Sequence, residues 1–176
     1  MNTKRTVLAL GLLAPMLLAL LTACVPTVPL TPAADATNPK CAEIIVRLPT
    51  SVVEQPLRQT NAQATGAWGN PASVLLRCGV PQPAPSATCS TVNGIDWVVD
   101  ISGSPRYVYT TYGRSPATQV VVDTKLTQGQ EAIILDALSN AVGSIAQTKQ
   151  CTGHDPGFVP EPTPSPWAKS PSVTSP

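Results

Sequence analysis

Histidine and paired carboxylates are the side chains of this sequence that could carry out acid–base chemistry. The single histidine, His154, lies in a proline-rich segment that would not hold an imidazole rigidly beside a nucleophile. Asp96 and Asp100 share one face of a predicted strand, roughly 13 Å apart, whereas glycoside hydrolases place their two carboxyl groups about 5–9.5 Å apart. We therefore expect solvent-facing charges, no catalytic residues and a protein that is not an enzyme. An envelope enzyme with an unrecognised site is the alternative.

Cys24 has the surroundings of a lipid-modified cysteine. Residues Met1–Ala23 have the parts of a signal peptide: two basic residues, an apolar stretch over Val7–Leu21 that is too short to cross a bilayer, and small residues before the cleavage point. The sequence Leu21–Cys24 is similar to the lipobox of bacterial lipoproteins. An uncleaved membrane helix and a plain secretory signal cut elsewhere are the alternatives. By this similarity we expect acyl chains such as palmitate on Cys24. Two such chains would hold the protein stably on a membrane.

The other four cysteines form an even set on the oxidising side of that membrane: Cys41, Cys78, Cys89 and Cys151. Such a set predicts two disulfide bonds. The sequence lacks the Cys-x-x-Cys spacing of zinc sites and redox pairs, and we expect neither a metal nor a cofactor. Four cysteines allow three pairings, and their spacing does not choose among them.

Aromatic and arginine side chains are candidates for a recognition surface, because they give large contact areas with few degrees of freedom. The candidate binding residues are Trp68, Arg77, Tyr112 and Arg114. Tyr112 and Arg114 flank a glycine at the end of a predicted strand, where a side chain could point outward. Trp97 lies on the apolar face of its strand and is expected in the core, and Trp68 has the alternative of anchoring a loop under the sheet.

Proline divides the chain into a signal peptide and three further segments. Residues 24–40 are predicted to be a lipidated, proline-rich linker that lifts the domain from the membrane, and residues 152–176 a disordered tail rich in Pro, Ser and Thr. Between them, residues 41–151 have the length of a single domain. Basic and acidic side chains balance in this domain, so no nucleic acid partner is expected.

Apolar periodicity predicts an α+β domain. A helix over Cys41–Leu48 is capped by Asn38, and a long helix runs from Thr127, with Gln130 placed as in a capping box, to about Lys149. Strands are expected over 73–79, 89–92, 95–102, 106–112 and 118–123, with a possible short strand near 57–60, and Asn93-Gly94 forms a hairpin turn. We therefore expect an antiparallel sheet of about four to five strands with a short N-terminal and a long C-terminal helix on one face.

Five motifs occur in an order that resembles a known family: Cys41-Ala42-Glu43 through Leu48-Pro49, Ala67–Pro71, Val74–Pro81, Val92–Trp97 and Thr110–Ser115. The series resembles the actinobacterial lipoproteins classed as domain of unknown function 3515 (DUF3515), a family without an established activity. The resemblance implies that Cys41 pairs with Cys78 and Cys89 with Cys151. Asn70 stands where the family motif has aspartate.

Anchor, disulfides and family resemblance together predict a lipoprotein of the bacterial cell envelope, on the outer face of the plasma membrane. Its domain is expected to bind without catalysing a reaction. The expected partners are the membrane, through the covalent lipid, and an envelope protein or a cell-wall component.

Overall fold

The computed structural model describes residues 26–152 of the chain. The predicted signal peptide, the predicted lipidation site Cys24, His154 and the predicted tail from residue 153 onward lie outside the described residues. Within residues 26–152, no helix is both long enough and apolar enough to cross a membrane.

Eight antiparallel strands form a single sheet. They are β1 (Ser51–Val52), β2 (Gln55–Arg58), β3 (Thr65–Trp68), β4 (Val74–Val80), β5 (Cys89–Val92), β6 (Ile95–Asp100), β7 (Arg106–Thr111) and β8 (Ala117–Asp123). Their order across the sheet is β1-β2-β3-β4-β8-β7-β6-β5. The last of the described strands, β8, therefore lies in the centre of the sheet. There it pairs with β4 of the meander β1–β4 on one side and with β7 of the meander β5–β8 on the other.

The prediction of four to five strands is wrong, because the chain before β4 adds three short strands to the sheet. Strand β3 has the sequence Thr-Gly-Ala-Trp, whose small residues have little strand propensity. It is nevertheless buried along its whole length, and a side chain at Gly66 would lie 2.8 Å from Leu48 Cδ1. Close packing, rather than alternation of apolar residues, makes this segment a strand.

Within residues 26–152, three helices accompany the sheet: α1 (Pro39–Ile45), α2 (Thr124–Thr127) and α3 (Glu131–Val142). Asn38 caps α1 as predicted, and its side chain accepts a hydrogen bond from the Lys40 N–H at 3.1 Å. The prediction of one long helix from Thr127 to Lys149 is wrong. Gln128 and Gly129 have left-handed conformations, with φ of 54° and 79°, and they separate the single turn of α2 from the twelve residues of α3.

The core lies between the sheet and the helices α1 and α3, which also contact each other. Trp97, Leu76 and Val120 of the sheet are completely buried against Ile44 of α1 and Leu138 of α3. Each such side chain stabilises the fold by about 1.5–3 kcal/mol on burial. The expected core position of Trp97 is confirmed, and so is the coarse α+β arrangement of an antiparallel sheet with a few helices.

Two disulfide bonds close the domain. Cys41–Cys78 joins α1 to β4, and Cys89–Cys151 joins β5 to the end of the described chain. These are the two pairs that the family resemblance implies.

Residues 26–36, which we call the strap, lie against the sheet although their prolines predict a free linker. Val28 forms a parallel bridge with Thr60, the Asp35 N–H donates to the Gly79 carbonyl at 3.0 Å, and Ala36 is buried. Proline lacks an N–H. The other residues of the strap have one, and the N–H groups of Val28 and Asp35 donate to backbone carbonyls of the domain.

Candidate functional site

The four candidate binding residues do not meet in one surface. Trp68 is completely buried, and its Nε1–H donates to the Pro49 carbonyl at 3.0 Å, so it anchors the loop before β1. Arg77 is half-buried on the opposite face of the sheet, where its Nε–H donates to Gln119 Oε1 at 3.1 Å. Tyr112 and Arg114 are only 8% and 6% exposed. The expectation that these two side chains point outward is wrong.

Arg114 belongs to an internal network that fastens the chain after α3. Its guanidinium donates to the carbonyls of Ile145 and Gly94 and, at 3.3 Å, to Gln147 Oε1. Burial lowers the pKa of Arg114, and the nearby charge of Asp96 opposes that effect. The residues around Gly113 are equally close-packed, since a Cβ at Gly113 would lie 1.9 Å from the Lys149 carbonyl oxygen. This arrangement holds the chain after α3 in place and buries the guanidinium of Arg114, whose Nε has no hydrogen-bond partner among the described residues.

Asp96 lies at the centre of the same network and is buried, which corrects its assignment as a solvent-facing charge. Its carboxylate accepts hydrogen bonds from Thr91 Oγ1 at 2.6 Å, from Gln147 Nε2 at 2.8 Å and from the Cys151 N–H at 2.8 Å. Burial raises the pKa of Asp96, but these hydrogen bonds and the charge of Arg114 outweigh it, and the pKa lies below its ordinary value. Asp100 is exposed as expected.

A cleft of about 270 Å³ lies between β5, β6 and β7 of the sheet and the beginning of α3. We call it the Trp97 cleft. Its apolar walls come from Val92, Val99 and Leu135, whereas Trp97, Tyr109, Ser90 and Glu131 supply polar groups. Strand pairing positions the aromatic residues, because Tyr109 lies opposite Val99, two residues beyond Trp97 on the same face of β6.

Two polar atoms of cleft residues are buried without a hydrogen-bond partner among the described residues: Trp97 Nε1 and Glu131 Oε1. An unsatisfied buried polar group costs about 1–3 kcal/mol. Nearly all buried polar side-chain atoms of folded proteins have a partner. Two residues that line the cleft therefore carry a buried N–H donor and a buried carboxylate oxygen without hydrogen-bond partners among the described residues.

Tyr109 adds a third polar group to the Trp97 cleft. Burial, with smaller contributions from the charge of Glu131 and from Tyr107, raises the pKa of Tyr109 to about 12. The phenol is thus protonated at neutral pH and can donate a hydrogen bond. One carboxylate, two aromatic rings and two N–H or O–H donors form a set suited to recognising an organic cation with an adjacent acceptor oxygen.

Tyr109 and Glu131 were not identified from the sequence. Glu131 is the first residue of α3, whereas a helix starting at Thr127 would place it one turn further along. The signal was present in Gly129, because glycine commonly follows the last residue of a helix. Within residues 26–152, no three His, Cys, Asp or Glu side chains are grouped as metal ligands.

Comparison with known families gives a match that covers most of the chain. The profile of a family described as "Protein of unknown function (DUF3515)" matches residues 7–151. No curated protein and no solved structure matches the chain.

Proposed function

We propose that this chain, which belongs to the DUF3515 family, is a lipid-anchored protein of the bacterial cell envelope whose domain binds an amine-bearing ligand in the Trp97 cleft without catalysing a reaction. The anchor is Cys24 on the outer face of the plasma membrane. The observation that carries the binding proposal is that Trp97 and Glu131, which line a cleft with apolar walls, each carry a buried polar atom without a partner, Nε1 and Oε1. A ligand would reach these atoms after a small movement of the side chains that cover them.

Two features support the anchor: the residues that precede Cys24 and the disulfide bonds of the domain. Small residues precede Cys24 directly after an apolar stretch of signal-peptide length. The bonds Cys41–Cys78 and Cys89–Cys151 are of the kind that persists on the oxidising side of a membrane. Together these observations favour an exported, tethered domain.

The chemistry of the Trp97 cleft favours a particular class of ligand. An ammonium group would pair with the carboxylate of Glu131 and lie near the rings of Trp97 and Tyr109, while an adjacent carbonyl or hydroxyl oxygen would accept from Trp97 Nε1–H. The volume of about 270 Å³ is below that of most drug-sized pockets. We therefore propose a terminal group, such as the free amine end of a cell-wall peptide.

The test is a titration of the full-length protein with alaninamide, which carries an ammonium group beside a carbonyl, followed through the indole N–H resonance of Trp97. N-acetylalaninamide, which lacks the charge, is the matched control ligand. We expect alaninamide to shift the Trp97 resonance and to bind more tightly than the acetylated compound. The assignment of the resonance is checked with Trp97→Phe.

Glu131→Gln keeps the shape of the side chain and removes its charge. Because a hydrogen bond to a charged group contributes about 1.5–3 kcal/mol, we expect alaninamide to bind at least about tenfold more weakly to this variant. The affinity for N-acetylalaninamide should not change. An indole resonance that neither compound moves, or equal affinity of the variant and the natural protein for alaninamide, would contradict the binding proposal.

A further inference from the structure

The beginning of the strap is held by an isolated parallel β-bridge to the chain that follows β2. Val28 N–H donates to the Gln59 carbonyl at 2.9 Å, and the Asn61 N–H donates back to the Val28 carbonyl at 3.4 Å. Leu30 N–H donates to Asn61 Oδ1 at 2.8 Å. These contacts run parallel to residues 59–61 and fix both the position and the direction of the strap.

The side chain of Arg58 binds the backbone of Pro26, the first described residue. One nitrogen of its guanidinium, Nη2, donates to the Pro26 carbonyl at 2.6 Å. The other, Nη1, donates to the Gly69 carbonyl at 2.7 Å and lies 3.4 Å from Asn70 Oδ1. Pro26 is thus joined through a single side chain to the turn between β3 and β4.

The strap is also held at its far end. Gly79 has a φ of +98°, and a Cβ there would lie 2.4 Å from the carbonyl carbon of Asp35. The Asp35 N–H donates to the Gly79 carbonyl. Since contacts fix both ends, the strap is part of the domain, and no free chain remains between Pro26 and the sheet.

Cys24 precedes Pro26 by two residues, and two residues of chain span at most about 7 Å. On the basis of the lipid anchor proposed above, we infer that the membrane surface is a docking partner of the domain and that the turn Gly69-Asn70-Pro71 faces it. The opposite end of the sheet carries the hairpin turn Asn93-Gly94. The seven residues of β4 separate the two ends by roughly 20 Å.

Because Arg58 holds Pro26 beside Gly69, the domain has a fixed orientation relative to its lipid anchor. A free proline-rich stalk of residues 24–40 would allow any face of the domain to approach the bilayer. A strap joined to Gly69 and Asn70 allows only the end of the sheet that contains this turn. The strap therefore gives the lipid-anchored domain one preferred orientation on the bilayer.

The orientation can be measured on the full-length acylated protein in nanodiscs of phosphatidylcholine that contain a gadolinium-chelating lipid. Gadolinium increases the relaxation rate of nearby amide protons, and this increase falls with the sixth power of the distance between the proton and the gadolinium ion. We expect the relaxation rates of Gly69 and Asn70 to exceed those of Asn93 and Gly94 at least about tenfold, given their separation along the strands. Comparable rates at the two ends in the acylated protein would overturn the inferred orientation.

An insertion of ten Gly and Ser residues after Val25 should abolish the difference, because the strap stays on the sheet while the tether lengthens. The same insertion after Thr152 is the control and should leave the difference unchanged. Arg58→Ala should reduce the difference by releasing Pro26. A chain that carries no acyl group and does not enter the nanodiscs would overturn the lipid anchor itself, and this outcome is distinct from an acylated chain without a preferred orientation.

Discussion

Three donors meet at the carboxylate of Asp96, and they come from a strand, from Gln147 and from the backbone of Cys151. The carboxylate of Asp96 thus fastens the chain after α3 to β6, beside the hydrogen bonds of Arg114 and the Cys89–Cys151 disulfide. A carboxylate in this position stabilises the fold only while it is ionised, because its hydrogen bonds and the charge of Arg114 favour the ionised form.

Asp96→Asn should therefore destabilise the domain at neutral pH by about 1–3 kcal/mol, the range for a buried group that loses its partners. The pKa of Asp96 is lower in the folded protein than its usual value of about 3.9. Its contribution is complete above that value and is lost as the pH falls through the lower pKa of the folded state. Urea unfolding at neutral pH and near pH 3 measures this dependence.

The control for this substitution is Asp100→Asn, on the same face of β6 but exposed. It should change the free energy of unfolding much less than Asp96→Asn does, because the hydrogen bonds from Ser102 that lower the pKa of Asp100 are exposed to water. If Asp96→Asn and Asp100→Asn had equal effects, the network around Asp96 would not contribute as described. Alternation along β6 did identify the face of Asp96, but no local pattern indicates that residues 147–151 return to cover it.

At the scale of elements, the pair Gln128 and Gly129 ends α2 and allows α3 to begin where Glu131 borders the Trp97 cleft. A Cβ at Gly129 would meet no atom within 4 Å, so its φ of +79° alone makes glycine favourable there. Gly129→Ala should cost about 1–2 kcal/mol, the penalty of a left-handed conformation for a residue with a side chain. Urea unfolding of the variant measures it, and an unchanged midpoint would show that this position does not require glycine.

Elements with a regular apolar pattern were predictable from the sequence, and those formed by contacts were not. The hairpin around Asn93-Gly94 and strands β4 to β8 follow from alternation and turn residues. Strand β3 and the strap depend on neighbours that are distant in sequence. The Trp97 cleft was missed for the same reason, since it requires three strands and the start of α3 to come together.

At the scale of the whole molecule, the two disulfide bonds connect parts of the domain that are far apart in the chain. Their sequence separations are 37 and 62 residues. On the chain-entropy model, each bond restricts the unfolded chain enough to stabilise the fold by about 4 kcal/mol. A typical domain has a total stability of about 5–15 kcal/mol.

The double substitution Cys41→Ala with Cys78→Ala should therefore lower the free energy of unfolding by about 4 kcal/mol. Cys89→Ala with Cys151→Ala should have a comparable effect and should also weaken the attachment of residues 147–151. Thermal unfolding with and without reductant measures both, and peptide mapping without reduction checks the pairing. A peptide linking Cys78 to Cys89 would contradict the arrangement.

Attachment to the membrane through Cys24 is the central claim, because both the binding role in the envelope and the orientation on the bilayer depend on it. The most direct measurement is intact mass spectrometry of the protein extracted from membranes with detergent, beside its Cys24→Ser variant. We predict a mature chain that begins at Cys24 and carries a diacylglyceryl group, and a Cys24→Ser variant that retains residues 1–23 without acyl chains. A natural protein that begins at any other residue, or a variant that still carries acyl chains, would contradict the account.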